Sequence, residues 1–324
     1  MPYSISMSTS LPLDCISTLP LLAPCEHIAG NERFIRKALA LQMQHLDNDG
    51  RSKVDLTLDL EDGAPVGQEE ELRNLFVRLL LSPENLSKQC GIRVHAADSP
   101  HCARDLEVIL TQAGHLVRYV TLPKVKSVRD VTWCAGLIQH YLSQAGHRNR
   151  IPIHALIETS EAICSLDSIA SLPQIEALDF GLLDYISQLG GAVRDDCMQS
   201  PGQFDHQLLR SVKSAIALAA LSHNAIPSHN VTVQFRDPTQ VYADALRARH
   251  EFGFLRMWSI HPDQIEPIIR AMTPSSDEVA LATAILHKAV AAQWGPIEHN
   301  GRLHDRASFR YYWGILVRSG KRSL

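Results

Sequence analysis

The feature that most constrains this chain is a rhythm. Between Leu19 and Pro262, eight short β-rich runs alternate with longer helical patterns. The runs are "LPLLAP" (19–24), "VDLTLDL" (54–60), "IRVHA" (92–96), "VRYVTLPKV" (117–125), "IPIHALIET" (151–159), "IEALDFG" (175–181), "IPSHNVTV" (226–233) and "GFLRMWSIHP" (253–262). Strands separated by helices must lie parallel, because only a crossover returns the chain to the same end of the sheet. Eight such units predict an α/β chain folded as a closed (β/α)8 TIM barrel. An open doubly wound sheet shares the alternation and remains the competing architecture. The usual nucleotide-fold signatures GxGxxG and GxxxxGK[ST] are absent.

Helices punctuate the pattern in a readable way. "NERFIRKALALQMQHL" (31–46) opens on an Asn cap and predicts a buried face of Phe34, Ala38, Leu41 and Leu46. "EEELRNLFVRLLL" (69–81) carries its acids in the first turn, where they suit the helix dipole. Beyond Pro262 the pattern turns helical, irregular, then helical again. This divides the chain into a loosely held N-terminus (1–18), a barrel domain (19–270) and a C-terminal helical extension (271–324) that packs on the barrel or reaches a neighbouring subunit.

Composition narrows the function classes. A net charge of −4 with no basic block argues against a nucleic-acid partner. No apolar run approaches membrane-span length, so no membrane partner is expected. Seven scattered cysteines without a CxxC pair read as reduced thiols. With no charged leader before Arg33, this implies a cytoplasmic location. The histidines offer no HExxH spacing and the serines no GxSxG elbow.

The chemistry lies at the ends of the strands. The second run closes in Asp59, Glu61 and Asp62, and the third carries Arg93. The fourth is followed by Lys124, the fifth ends in Glu158, the sixth leads to Asp184, and the eighth ends in His261. In a barrel these ends converge on one rim, and that rim is the active site. Glu158 and Asp184, on consecutive strands, form an all-oxygen pair suited to Mg2+. Arg93 and Lys124 add positive charge, and arginine is the preferred fork for a carboxylate. Cation, arginine and spare carboxylates describe a site for an oxo-acid. Each residue also has a plainer reading: Asp184 as a helix cap, Arg93 as the partner of Asp59 or Asp62, Lys124 as a loop lysine, His261 as a turn anchor.

Six segments then occur in register: "LDLEDGAP", "IRVHA", "LPKVKS", "HALIETSEAI", "LDFGLLD" and "GFLRMWSIHPDQIEPI". Together, from about residue 19 to 305, they resemble the citrate lyase β-subunit-like (CitE-like) proteins of the HpcH/HpaI aldolase superfamily, which includes malyl-CoA lyases. The resemblance implies a Mg2+-dependent carbon–carbon lyase that cleaves a 3-hydroxyacyl-CoA, like citryl-CoA or malyl-CoA, to acetyl-CoA and a 2-oxo acid. It implies metal on Glu158 and Asp184, and Arg93 on the substrate carboxylate. Asp59, Glu61 and Asp62 would lie beside the metal. The catalytic aspartate that moves the proton would be Asp305 in "GRLHD", reaching over a neighbouring subunit's site within a trimer or hexamer, or else Asp59 or Asp62. Four positions depart from the pattern: Glu69, Glu161, Arg256 and Met257, the last two replacing Gly-Lys in a segment read as a CoA-contacting loop. They keep two alternatives open: an aldolase for free 2-oxo acids, or a non-catalytic organic-acid binder.

Overall fold

The computed structural model describes residues 19–47 and 49–321; the N-terminal stretch 1–18 and Cys15 lie outside them. The described residues divide into two compact units, one spanning Leu22–Met272 and the other holding residues 273–321 with 19–21.

The first unit is a closed barrel of eight parallel strands: β1 (Cys25–Ala29), β2 (Val54–Asp59), β3 (Cys90–Arg93), β4 (Val117–Leu122), β5 (Ile153–Ile157), β6 (Ile175–Phe180), β7 (Ile226–His229) and β8 (Arg256–Ser259). β8 pairs back onto β1, with Cys25 opposite Met257, which removes the open-sheet alternative. Helices α1 (Glu32–Gln42), α2 (Glu69–Leu80), α3 (Cys102–Ala113) and α4 (Val128–Gln144) follow the first four strands in turn.

Strand alternation sorts β2 cleanly. Leu56 and Leu58 belong to the apolar layer shared with the helices. On α2, Leu72, Leu75, Phe76, Leu79 and Leu80 are buried in that layer, each contributing about 1.5–3 kcal/mol of transfer free energy. Asp55, Thr57 and Asp59 point the other way. Thr57 Oγ1 lies 2.6 Å from the Tyr119 hydroxyl on β4, and Asp55 Oδ2 lies 2.9 Å from Arg256 on β8. Neither β4 nor β8 neighbours β2, so these contacts cross the barrel interior.

Three sequence expectations are displaced. The first strand is "CEHIA" rather than the preceding "LPLLAP", because pairing with β2 and β8 outweighs its low apolar content. The buried face of α1 is Ile35, Ala38, Leu39 and Gln42, while Phe34 is 52% exposed. The Asn31 side chain accepts from Phe34 N and starts the helix in that rotation. Arg256 and Met257 are not loop residues: both are buried in β8.

The C-terminal unit contains two helices, Ser276–Ala291 and Arg306–Arg318, and a hairpin of β9 (Ile297–His299) and β10 (Arg302–His304). Asn300 and Gly301 take positive φ at the turn, as a two-residue hairpin requires. Its core includes Ile285, Leu286, Phe309 and Trp313.

Candidate active site

A cavity of about 370 Å³ lies at the C-terminal ends of the strands. Its polar lining is Asn31, Asp59, Asp62, Arg93, Glu158, Asp184 and Asn230, drawn from the ends of six strands, β1, β2, β3, β5, β6 and β7. Phe34, Leu183 and Ile260 supply exposed apolar side chains, and Trp258 a buried one.

Asp59 and Arg93 form the rigid element. Arg93 Nε and Nη2 donate to Asp59 Oδ1 and Oδ2, both at 2.6 Å. The two sit opposite each other in the β2–β3 register. Asp59 also accepts from Glu61 N at 3.0 Å and Gly63 N at 2.9 Å, which folds the "EDG" turn around it. A Cβ at position 63 would lie 2.3 Å from Asp59 Oδ2, so this turn needs glycine. With four donors on its two oxygens, Asp59 is suited to hold Arg93 rather than carry a substrate proton. Arg93 keeps Nη1, 3.4 Å from Glu61 Oε2, as its less committed donor.

Glu158 is 3% exposed. Its Oε1 accepts from the backbone N of Lys124 at 2.7 Å. Lys124 holds a left-handed φ of 50° to present that N–H, a conformation costing on the order of 1 kcal/mol for a residue with a Cβ. The other carboxylate oxygen packs against Gly181, where a Cβ would lie 2.2 Å from it. Burial, then the neighbouring Asp184, pushes the Glu158 carboxyl up to about 8. Asp184, in the first turn of the helix Leu182–Gln188, is also raised, by burial and then by Asp62. Two adjacent carboxyls both raised mark a place short of positive charge.

Lys124 and Arg93 offset that shortage only in part. The Lys124 ammonium bonds Glu61 Oε1 closely and lies 3.2 Å from Asp62 Oδ1. Burial opposes its charge, but Glu61 and Asp62 outweigh burial and raise its pKa. Lys124 and Glu61 join the cluster through these bonds without lining the cavity. Asp305 belongs to the C-terminal unit, where its Oδ1 caps the last helix by accepting from Ala307 N at 3.0 Å. His261 caps a turn, its Nδ1 accepting from Asp263 N at 3.2 Å.

Sequence reading missed the Gly181 cradle and the Lys124 backbone donor. A glycine directly after the sixth strand was the available sign of the first. The departures Glu69 and Glu161 are at helix starts and do not line the cavity. Glu69 Oε1 accepts from Gly67 N at 2.9 Å.

A buried glutamate and a half-buried aspartate beside a clamped arginine thus stand on the C-terminal rim of a (β/α)8 barrel, where enzymes of this fold place their active sites. The chain belongs to the HpcH/HpaI aldolase/citrate lyase family, whose model matches residues 42–262, and it is an enzyme of the carbon–carbon lyase class. It is 26% identical to the L-malyl-CoA/β-methylmalyl-CoA lyase of Rhodobacter capsulatus, over 79% of this chain and 84% of that one. Its fold matches a citrate lyase from Burkholderia xenovorans LB400 with a TM-score of 0.86 and 42% identity, covering 94% and 95% of the chains. It also matches the protein CitE of Mycobacterium tuberculosis in complex with magnesium, acetoacetate and coenzyme A, with a TM-score of 0.69 and 25% identity, covering 92% and 98%. Among the described residues no helix is long and apolar enough to cross a membrane.

Proposed function

We propose that this chain is a Mg2+-dependent lyase that cleaves a 3-hydroxyacyl-CoA of the malyl-CoA or citryl-CoA kind to acetyl-CoA and a 2-oxo acid. The observation that carries this is the Glu158–Asp184 pair: a buried and a half-buried carboxyl, both raised in spite of Arg93, and, among the described residues, neither in a salt bridge. A divalent cation fits that donor set, since it converts the repulsion into two ligand charges and accepts hard oxygen donors. When bound, it supplies a Lewis acid that stabilises negative charge developing on substrate oxygen. The magnesium, acetoacetate and coenzyme A held by the M. tuberculosis relative support the reading.

The chain's own groups have the following roles. Glu158 and Asp184 would hold the ion, with Glu158 oriented by Lys124 N and Gly181. Arg93, fixed by Asp59, would bind the substrate carboxylate through its outward N–H groups. Lys124 and Glu61 would brace Asp62 at the mouth. Asp62 faces the cavity and Asp305 retains a side-chain oxygen beyond its cap; one of these would move the proton. For Asp305 this requires the C-terminal unit to serve a neighbouring subunit, in a homotrimer or hexamer. The six described cysteines are unpaired, which suits a cytoplasmic enzyme.

Placing Arg256 and Met257 inside β8 removes the reason to prefer free acids over CoA thioesters. Turnover of malyl-CoA and citryl-CoA, with the corresponding free acids as controls, tests the proposal. Wild type should cleave a thioester only with Mg2+, and Asp184→Asn should lose that activity. Asp305→Asn keeps an equally good helix cap and should lose turnover with its melting temperature unchanged. Mg2+-independent cleavage, or full activity in Asp184→Asn, refutes the metal assignment.

A further inference from the structure

The barrel interior on the N-terminal side of the cavity is polar. (β/α)8 interiors are ordinarily filled by Val, Ile and Leu. Here Glu26, Asp55, Thr57, Tyr119, Thr121, His154, Asp179, Ser228 and Arg256 are all buried. A core of this kind is stable only if charge and hydrogen bonds close.

Two parts are ion-paired. Arg256 Nη2 lies 3.1 Å from Glu26 Oε2 and 2.9 Å from Asp55 Oδ2, while its Nε and Nη1 lack a hydrogen-bond partner. Arg118 clamps Glu176 with bonds of 2.9 and 3.2 Å. With Glu26, Asp55, Glu176 and Asp179 all ionised, the carboxylates exceed these two guanidinium groups by two negative charges, and burial, then Glu26, pushes the Asp179 carboxyl up to about 7.

The remaining part does not close. His154 Nε2 lies 3.3 Å from Glu176 Oε2. In the neutral tautomer that donates there, Nδ1 presents a lone pair toward Asp179 Oδ2, 4.0 Å away. Neither oxygen of Asp179 nor His154 Nδ1 has a hydrogen-bond partner, although both residues are fully buried. Glu26 Oε2 likewise accepts no well-formed hydrogen bond. One ligand atom from each of Glu26, His154 and Asp179 lies within 4.8 Å of the others. The Thr121 hydroxyl, beside His154 in register, also lacks a partner. In that tautomer three acceptor atoms converge on one point, a set that a cation between them would satisfy.

We propose that Glu26, His154 and Asp179 form a buried site for a divalent transition-metal ion, separate from the Mg2+ site at the rim. An imidazole with two carboxylates selects the Mn2+, Fe2+ or Zn2+ class over Mg2+. The arrangement behind the histidine is that of a metal ligand: its other N–H is held by a carboxylate, and that carboxylate by an arginine. Tyr119 stacks on the imidazole at 3.9 Å and fixes its plane. A dication cancels the two excess charges. It ties β1 to β5 and β6 across the lumen, so its role is to brace the barrel, and it loads as the chain folds.

The test uses the full-length protein folded with Mn2+, crystallised, and measured for anomalous scattering. The expected result is a peak between Glu26, His154 Nδ1 and Asp179, with bonds of about 2.0–2.3 Å. The peak should persist in the Glu158→Gln/Asp184→Asn double variant, which removes only the rim site. It should vanish in Asp179→Asn and in His154→Gln. If those variants do not fold, the wild-type map and the rim double variant still decide. Ordered water at this position without anomalous signal overturns the proposal, as does manganese that disappears with the rim carboxylates. Either result leaves the reading of the rim site untouched.

Discussion

Replacing Glu158, the proposed metal ligand, should stabilise the metal-free protein. Glu158 goes from an ordinary 4.5 to about 8 on folding, by burial and then by repulsion from Asp184. The folded state therefore binds more protons than the unfolded chain between those values. Stability of the metal-free protein falls as pH rises through that window and levels off above about 8. At about 1.4 kcal/mol per pH unit, the ceiling of this penalty is about 5 kcal/mol. Glu158→Gln keeps the acceptor for Lys124 N and removes the charge. Near pH 5, where Glu158 is already protonated, wild type and variant should melt together; near pH 9 the variant should melt higher. A third of the ceiling already moves the midpoint by about 3–6 °C for a domain of this size. The assay is a pair of melting curves in chelator at several pH values, repeated with saturating Mg2+. Added Mg2+ should raise the wild type and leave the variant unmoved, reversing their order. The reasoning fails if Glu158→Gln is less stable at every pH in chelator, or if Mg2+ stabilises both proteins equally.

Gly181→Ala places a methyl 2.2 Å from Glu158 Oε2. Gly181 takes a negative φ of −95° that alanine can adopt, so the fold should persist while Mg2+ affinity, read by titration calorimetry, falls about tenfold or more. Asp59→Ala removes the bidentate partner of buried Arg93, leaving it only Glu61 at 3.4 Å, and should cost about 3–5 kcal/mol in urea unfolding. Asp62→Ala, at an exposed residue paired to a half-exposed lysine, should cost no more than about 1 kcal/mol. Similar losses for the two would contradict the division between a clamp and a mouth residue.

The period of the barrel was legible because parallel strands buried on one face still read as apolar runs, and caps and prolines punctuate the helices between them. β1 was misplaced by a few residues because "CEHIA" spends two of its five positions on Glu26 and His27. The candidate rim was legible residue by residue, since acids following apolar strands stand out. Its internal bonding was not: Asp59 and Arg93 are 34 residues apart, and only the β2–β3 register makes them face each other. The Lys124 contribution runs through a backbone N–H, which no side-chain pattern announces.

The barrel interior was hidden for a different reason. In β2 the leucines at 56 and 58 carry the visible hydrophobic signal, and they face the helices. The alternate positions 55, 57 and 59 look like a solvent face in an ordinary two-sided sheet. In a closed barrel there is no solvent face, so the same positions fill the lumen and must satisfy one another. That turns alternation into a prediction about charge. Every acid at an inward position needs a base from another strand, and Arg256 answers Glu26 from the neighbouring strand and Asp55 from one strand further round. Asp179 has no comparable answer: its nearest counter-group is His154 Nδ1, 4.0 Å away. The cation proposed above, which the sequence does not encode, would supply it.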